Sequence, residues 1–265
     1  MIGVNGPARA LHRQASAGKS DGEVTPGAHN GRVSEDEGPG TAGLHTAASV
    51  EPLPHPEPHR AVVLVVGVVA TVAFVVLRFA VALGGHEPLP ADLWWHDLMV
   101  ATLGEVGIIA AWVPAIVGGT LGMIVIGILL VAVFLWKRRR WDAVTLASAI
   151  IVVVAIGAPM AAVIARVRPE DSLAESVATS FPSGHTAVAT TMAVTLGLLL
   201  RRWYVWLAGG LWVLYMMWSR TYLHAHWLSD VVAGMLEGVA VATLVWSAVQ
   251  AYRIRRATPS SPEAV

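Results

Sequence analysis

The chain has 265 residues, 55% of them hydrophobic and 14% charged, and its 18 basic and 18 acidic residues cancel to a formal net charge of zero. A soluble domain carries roughly 25% charged residues, so this composition, with a mean hydropathy of +0.61, excludes an ordinary soluble protein and excludes disorder throughout. Zero net charge offers no footprint for nucleic acid, which is not expected as a partner, and the absence of cysteine removes disulfides, thiolate metal sites and thiol nucleophiles.

Residues 1–60 are rich in Gly, Pro, Ala, Ser, His and Glu and contain no sustained apolar run. Such a segment cannot bury enough apolar surface to offset chain entropy, so it reads as a disordered tail. No signal-peptide pattern opens it. Its histidines (His12, His29, His45, His55, His59) are scattered without ligand spacing, which argues against a metal tract.

From Ala61 the chain is dominated by apolar runs, and a run of about 20 residues crosses a bilayer. The expected spans are Ala61–Leu83, Val113–Trp136, Ala143–Ala165, Thr186–Leu200, Trp203–Trp218 and Trp227–Tyr252, the fourth and fifth borrowing flanking residues. Ala91–Trp112 carries Asp92, His96, Asp97 and Glu105 and reads as one interfacial helix. Tryptophans such as Trp94, Trp136, Trp203 and Trp227 fall near span ends, as in an aromatic belt. The fold class is therefore all-α: a six-span transmembrane bundle over 61–252, followed by a short tail, 253–265.

Basic residues set the orientation. Lys137 to Arg140, Arg201 with Arg202, and Arg253 with Arg255 and Arg256 all lie on one side of a six-span topology. The positive-inside rule makes that side cytoplasmic, with both termini there, in a multi-pass protein of the plasma membrane. The loops after spans one, three and five then share the extracytoplasmic face.

Two of those loops carry the chemistry. One runs from Arg166, Arg168 and Pro169 through Glu170, Asp171 and Glu175 to Pro182, Ser183, Gly184 and His185. The other runs from Ser219 and Arg220 through His224 and His226 to Asp230. His226 and Asp230, four residues apart at a helix start, share a face. A carboxylate there can hold one imidazole nitrogen and leave the other as a nucleophile or base. Ser183, Gly184 and His185 open the next helix, where backbone N–H groups bind anions. Arg168 and Arg220 offer planar forks suited to phosphate oxygens. Singly, each feature has an ordinary reading as a cap, a snorkelling arginine or a satisfied histidine. Gathered at one membrane face, they describe a phosphate site with a nucleophile and an acid.

These residues resemble the type 2 phosphatidic acid phosphatase family, integral-membrane lipid phosphatases related to acid phosphatases and haloperoxidases. Its pattern is K-x6-R-P, then P-S-G-H, then S-R-x5-H-x3-D. Pro182 to His185 match the second part, and Ser219, Arg220, His226 and Asp230 the third. Arg168 and Pro169 match the first, whose lysine position holds Ala161. The resemblance covers roughly Ala61 to Tyr252. It implies a phosphoric ester or diphosphate hydrolase using neither metal nor other cofactor. His226 would form a phosphohistidine, Asp230 would orient it, and His185 would protonate the leaving group. Arg168, Ser183, Gly184 and Arg220 would hold phosphate oxygens, on a lipid phosphate or polyprenyl pyrophosphate substrate.

Arg166, two residues before Arg168, shares its face if the segment is extended, and is a tentative replacement for the missing lysine. The other reading pairs it with the acidic loop or a headgroup. A weak lipid-phosphate binder is the alternative function, because of Ala161; a small transporter is disfavoured, its polar residues lying at one face rather than the midplane. His224 is expected to face solvent, and Arg78 to snorkel. Glu237 lies on the Asp230 face, deeper in the helix, against an arginine or another helix. Gly234 and Gly238 form a small-x3-small pair suited to helix packing. The headgroup, the oligomeric state and the tail's role are not legible.

Overall fold

The computed structural model describes residues 57–174 and 179–257. The residues 1–56 of the expected tail, with four of its histidines, Glu175 and the last residues, 258–265, lie outside the described residues.

Eight helices follow one another: α1 (Glu57–Leu83), α2 (Pro90–Ala101), α3 (Glu105–Val117), α4 (Thr120–Trp136), α5 (Arg140–Ile164), α6 (Gly184–Leu200), α7 (Trp203–Tyr222) and α8 (Leu228–Ala257). Among the described residues the only β-type pairing is an isolated antiparallel bridge, Val167 with Thr179. The architecture is all-helical, as expected.

α1 shows why the helices suit a bilayer. Val63, Ala70, Phe74 and Val81 are buried, yet the opposite stripe, Val62, Val65, Val69, Val72 and Val76, is exposed and equally apolar. A helix in water would put polar residues on that stripe. By length and composition α1, α5 and α8 can each cross a membrane, and the bent pair α3–α4 makes a fourth if it acts as one span. α6, with 17 residues, is a shorter apolar helix. The chain is an integral membrane protein.

The expected elements shift in three places. The single interfacial helix is two, because the chain turns between α2 and α3. Tyr222 secures that turn, its hydroxyl donating to the Thr102 carbonyl at 2.7 Å and accepting from the Gly104 N–H at 3.0 Å. The second apolar run is broken at Gly118–Gly119, and its two helices meet at 50°. Pro114 inside α3 leaves a carbonyl without its helical donor and Gly118–Gly119 lacks side chains to restrain the backbone, so the break falls here. Finally, α1 begins at Glu57 and α8 runs to Ala257, so His59, Arg253, Arg255 and Arg256 are helical. His59 packs edge-on against Trp246, at 5.8 Å between centroids.

α8 packs against α1, α2, α5, α6 and α7. Its glycines allow the closest approach. A Cβ on Gly234 would stand 2.4 Å from the Ser183 carbonyl oxygen, and one on Gly238 would stand 2.6 Å from that of Ala187. The small pair thus serves helix packing, and it seats the start of α6 directly on α8.

The two ends of the bundle differ. At one, Arg139 donates to the Leu199 carbonyl at 2.9 Å and Arg253 lies over Trp141 at 5.9 Å, so the basic segments gather together. At the other, Arg166 reaches the carbonyls of His86 and Glu87, and Ser183 N–H donates to the Asp230 carbonyl at 3.0 Å. The loops after α1, α5 and α7 converge there.

Candidate active site

The site begins with the backbone between α7 and α8. α7 extends one turn beyond the expected span end and carries Ser219 and Arg220 in its last turns. It is pinned to α3 by Tyr215 Oη, 2.7 Å from the Ala110 carbonyl, and Ser219 Oγ, 2.5 Å from that of Ala111. α8 starts after a connection of five residues, 223–227, and His226 sits in it, its N–H bonded to the Arg220 carbonyl at 3.2 Å.

His226 is buried, and its surroundings fix its tautomer. Nδ1 lies 2.7 Å from the Ser180 carbonyl, which can only accept, so Nδ1 carries the proton. Nε2 then bears the lone pair, and Arg168 Nη1 lies 3.3 Å from it. Asp230 Oδ2 is 3.7 Å from Nδ1, near enough for electrostatic support but beyond a hydrogen bond. The expectation that Asp230 directly holds the imidazole proton is therefore modified: a backbone carbonyl holds it, and Asp230 stands behind. Burial is the main cause that keeps the His226 imidazole below its ordinary pKa; the Asp230 carboxylate opposes this, while Arg220 and Arg168 add to it. The neutral, nucleophilic form is favoured.

Asp230 belongs to a buried network that the sequence reading did not assemble. Arg166 is fully buried; its Nη1 donates to Asp230 Oδ1 at 2.6 Å and to Ser229 Oγ at 2.7 Å. Its Nη2 donates to Asp92 Oδ2 at 2.8 Å and to the Glu87 carbonyl at 3.1 Å, and Nε to the His86 carbonyl at 3.2 Å. The tentative role of Arg166 as a phosphate contact is not where the structure puts it, since every guanidinium nitrogen has a protein partner and none lines the cavity described below. Arg168 turns the other way and does line that cavity; its Nη1 also donates to the Ala225 carbonyl. The expectation of a shared face fails because the pairing of Val167 with Thr179 is a single bridge, after which the chain turns away at Pro169.

Asp92 and Ser229 are the residues the sequence reading missed. Asp92, in the first turn of α2, accepts the Leu89 N–H at 2.9 Å, the Ser229 N–H at 2.7 Å and the Ser229 hydroxyl at 2.8 Å. The available signal was an aspartate two residues after Pro90 in an apolar stretch, which fits a helix N-terminus. Nothing in the sequence tied it to Arg166.

Ser183 is the N-cap of α6 and is buried, its hydroxyl 3.2 Å from that of Thr186. Gly184 and His185 follow in the first turn, whose N–H groups point out of the helix. A Cβ on Gly184 would meet nothing within 4 Å, and the residue lines the cavity, so its bare backbone faces open space. A Cβ on Gly119 would stand 3.9 Å from His185 Nε2, which places that ring against the α3–α4 break. Arg220 is buried beneath His226 and does not line the cavity.

The cavity has a volume of about 410 Å³. Arg168, Gly184, His185 and His226 form its polar end; Ile124, Val154, Ala158 and Ala161 are among its apolar walls, contributed by α4 and α5. Ala161, at the lysine position of the first motif, thus faces the same space as Arg168.

His224 is buried, not solvent-facing, with a left-handed backbone at φ 50°. Glu237 lies against Gly157, where a Cβ would stand 3.4 Å from Oε1, and makes no hydrogen bond among the described residues. It faces a helix rather than an arginine. Arg78 is half-buried, its guanidinium 5.5 Å from the Phe79 ring.

Comparison with known proteins agrees with the motif. Residues 144–254 match the model of the PAP2 superfamily. An undecaprenyl-diphosphatase of Sulfolobus acidocaldarius is 33% identical over 117 residues, which is 42% of this chain and 56% of that protein. The match therefore spans little more than half of the relative. Among solved structures, a transmembrane PAP2-type phosphatidylglycerolphosphate phosphatase of Bacillus subtilis superposes with a TM-score of 0.61 at 20% identity, covering 71% of this chain and 96% of that one. LpxE of Aquifex aeolicus superposes with a TM-score of 0.51 at 22% identity, covering 58% and 93%. At such identities these two speak for the fold. Family model, motif residues and fold coincide on one stretch, residues 144–254, and that segment is similar to the PAP2 superfamily.

Proposed function

We propose that this protein is a membrane phosphatase that hydrolyses a lipid phosphate or an isoprenoid (pyro)phosphate through a phosphohistidine on His226. The observation that carries the reading is the His226 tautomer: Nδ1 donates to the Ser180 carbonyl, and Nε2 turns its lone pair toward Arg168 and the cavity.

In the proposed reaction Nε2 attacks phosphorus, and the bond from phosphorus to the leaving oxygen breaks. His185 gives that oxygen a proton and so releases an alcohol from a phosphomonoester, or the lipid monophosphate from a diphosphate. Water then attacks phosphorus while His185 takes its proton; the bond from phosphorus to Nε2 breaks, inorganic phosphate leaves, and both histidines return to their starting state. Arg168 and the N–H groups of Gly184 and His185 hold the phosphoryl oxygens, and Arg220, buried outside the cavity lining, adds positive charge from behind. Asp230 stabilises the positive imidazole that forms when Nε2 becomes bonded. The steps draw on side chains and water, and phosphate release is expected to continue with chelator present.

The apolar walls of the cavity suit a hydrocarbon chain and the polar end its phosphate. The positive-inside pattern supports a polar end on the extracytoplasmic side of a six-span bundle with both termini cytoplasmic. Phosphate release by the purified protein from phosphatidate, phosphatidylglycerol phosphate and polyprenyl pyrophosphate tests the reading. His226→Ala is expected to lower release by about 10⁴-fold or more, as loss of a nucleophile does; undiminished release would remove His226 from the role.

One observation supports a second reading, a lipid-phosphate binder of low turnover: the cavity wall presents Ala161 where the motif has a cation. Loss of such a contact costs about 10²–10³ in rate. Ala161→Lys is expected to raise turnover if the enzyme reading holds; binding without turnover in both proteins would favour the second.

A further inference from the structure

Three side chains outside the cavity meet where α2, the segment after α5 and the α7–α8 connection come together. His96 Nε2 lies 3.4 Å from Asp171 Oδ2, and His224 Nδ1 lies 2.7 Å from the same oxygen. The three atoms are all within 4.8 Å of one another. The rings of His96 and His224 are 4.6 Å apart, and Trp227 packs against His96 at 5.5 Å.

His224 makes this more than a chance cluster. Its side chain is 2% exposed, yet neither ring nitrogen has a hydrogen bond of acceptable geometry among the described residues. Nδ1 is close to Asp171 but not directed as a hydrogen bond requires. The left-handed backbone of His224, at φ 50°, is an uncommon conformation for a residue with a side chain. It holds the ring against a carboxylate and a second imidazole.

We propose that His96, Asp171 and His224 form a binding site for a divalent transition-metal ion of the zinc class. Two imidazoles and a carboxylate are the donor set such ions accept, with a remaining position for water. Ligand bonds of about 2.0–2.2 Å in tetrahedral geometry put donor atoms about 3.4 Å apart. The observed separations from the Asp171 oxygen, 3.4 and 2.7 Å, lie around that value, and no pair of donor atoms is more than 4.8 Å apart. Asp171 is 49% exposed, so the ion enters from solvent. None of the three ligands lines the cavity, so the ion stands outside the reaction proposed above. It would cross-link three segments of chain, one of which holds His226 two residues beyond His224.

The test counts zinc rather than turnover, so its failure is separate from failure of the phosphatase reading. The full chain is purified in detergent, stripped with chelator and dialysed against Zn²⁺, beside His96→Ala and Asp171→Ala. Tail histidines are present in all three proteins and cancel. The wild type is expected to retain one more zinc per chain than either variant, and zinc to raise its Tm but not theirs. Removal of one ligand should weaken binding by at least about tenfold. Equal zinc content in the three proteins, or a Tm rise of the same size in all, would overturn the site.

Discussion

The two sides of the His226 ring are built on opposite plans. Behind Nδ1, a chain of buried polar groups is paired within the protein: the Ser180 carbonyl, then Asp230, Arg166, Ser229 and Asp92. In front of Nε2, Arg168, Gly184 and His185 face a cavity. Two arginines two residues apart illustrate the contrast, since Arg166 ends on two carboxylates and Arg168 ends beside the lone pair. The side that orients the nucleophile is built from protein groups alone, whereas the side that would meet a phosphate lines a cavity. Preorganisation of this kind avoids reorienting dipoles during the reaction.

The contrast can be broken from behind. Arg166→Ala leaves Asp92 and Asp230 buried without their cation, which costs about 3–5 kcal/mol. The expected outcome is a large fall in Tm measured by thermal unfolding in detergent, or failure to fold. A variant with unchanged Tm would show that the network is not a structural brace.

From the front, the expected effect has another signature. Arg168→Ala should lower kcat/KM for phosphate release by about 10²–10³ while changing Tm little. If instead it unfolds the protein and leaves the rate of the folded fraction intact, the division between the two sides is wrong.

The seat beneath both sides is Gly234. Gly234→Ala brings a Cβ to 2.4 Å from the Ser183 carbonyl oxygen, so α6 must move away from α8. Overpacking of this kind costs about 1–3 kcal/mol, and it displaces Ser183, Gly184 and His185. Both Tm and kcat/KM are expected to fall, unlike the selective effects of the two arginine variants. An active variant of unaltered stability would mean the helices part without disturbing the site.

The smallest expected effect concerns pH. Burial and two arginines lower the His226 pKa from its ordinary value of 6.5. The neutral form therefore persists as pH falls through 6.5, and the acid limb of kcat/KM attributable to this group should lie below that value. The sign for stability is the same: a histidine held neutral contributes above its unfolded pKa and ceases to contribute as pH falls well below it. An acid limb from His226 above 6.5 would contradict its burial.

The motif residues were legible because their spacing is local. Ser183 caps α6 and is followed by Gly184 and His185 in its first turn, so a four-residue pattern already implied a helix start. His226 and Asp230 stand close because they are four residues apart around a helix start. Arg166 was less legible, for in an extended strand it would have joined Arg168. Its true partners lie more than 60 residues away in sequence, at Asp92 and Asp230. Asp92 looked like one charge of an interfacial helix until the fold enclosed it. His224 looked like a surface residue because its neighbours in sequence give no sign that α2 lies over it.

The sequence by itself determined that this is an all-helical membrane protein, where its helices start and stop to within a turn or so in most cases, and which motif residues gather at one end. Those follow from the length and hydropathy of each run and from charge placement, all of which are properties of short segments. The tertiary structure alone decided which nitrogen of His226 carries the proton, which of the two arginines meets the cavity, and that Asp92 and His224 are buried. Each of these depends on groups brought together from separate helices, and desolvation and hydrogen-bond geometry act only once those groups are in contact.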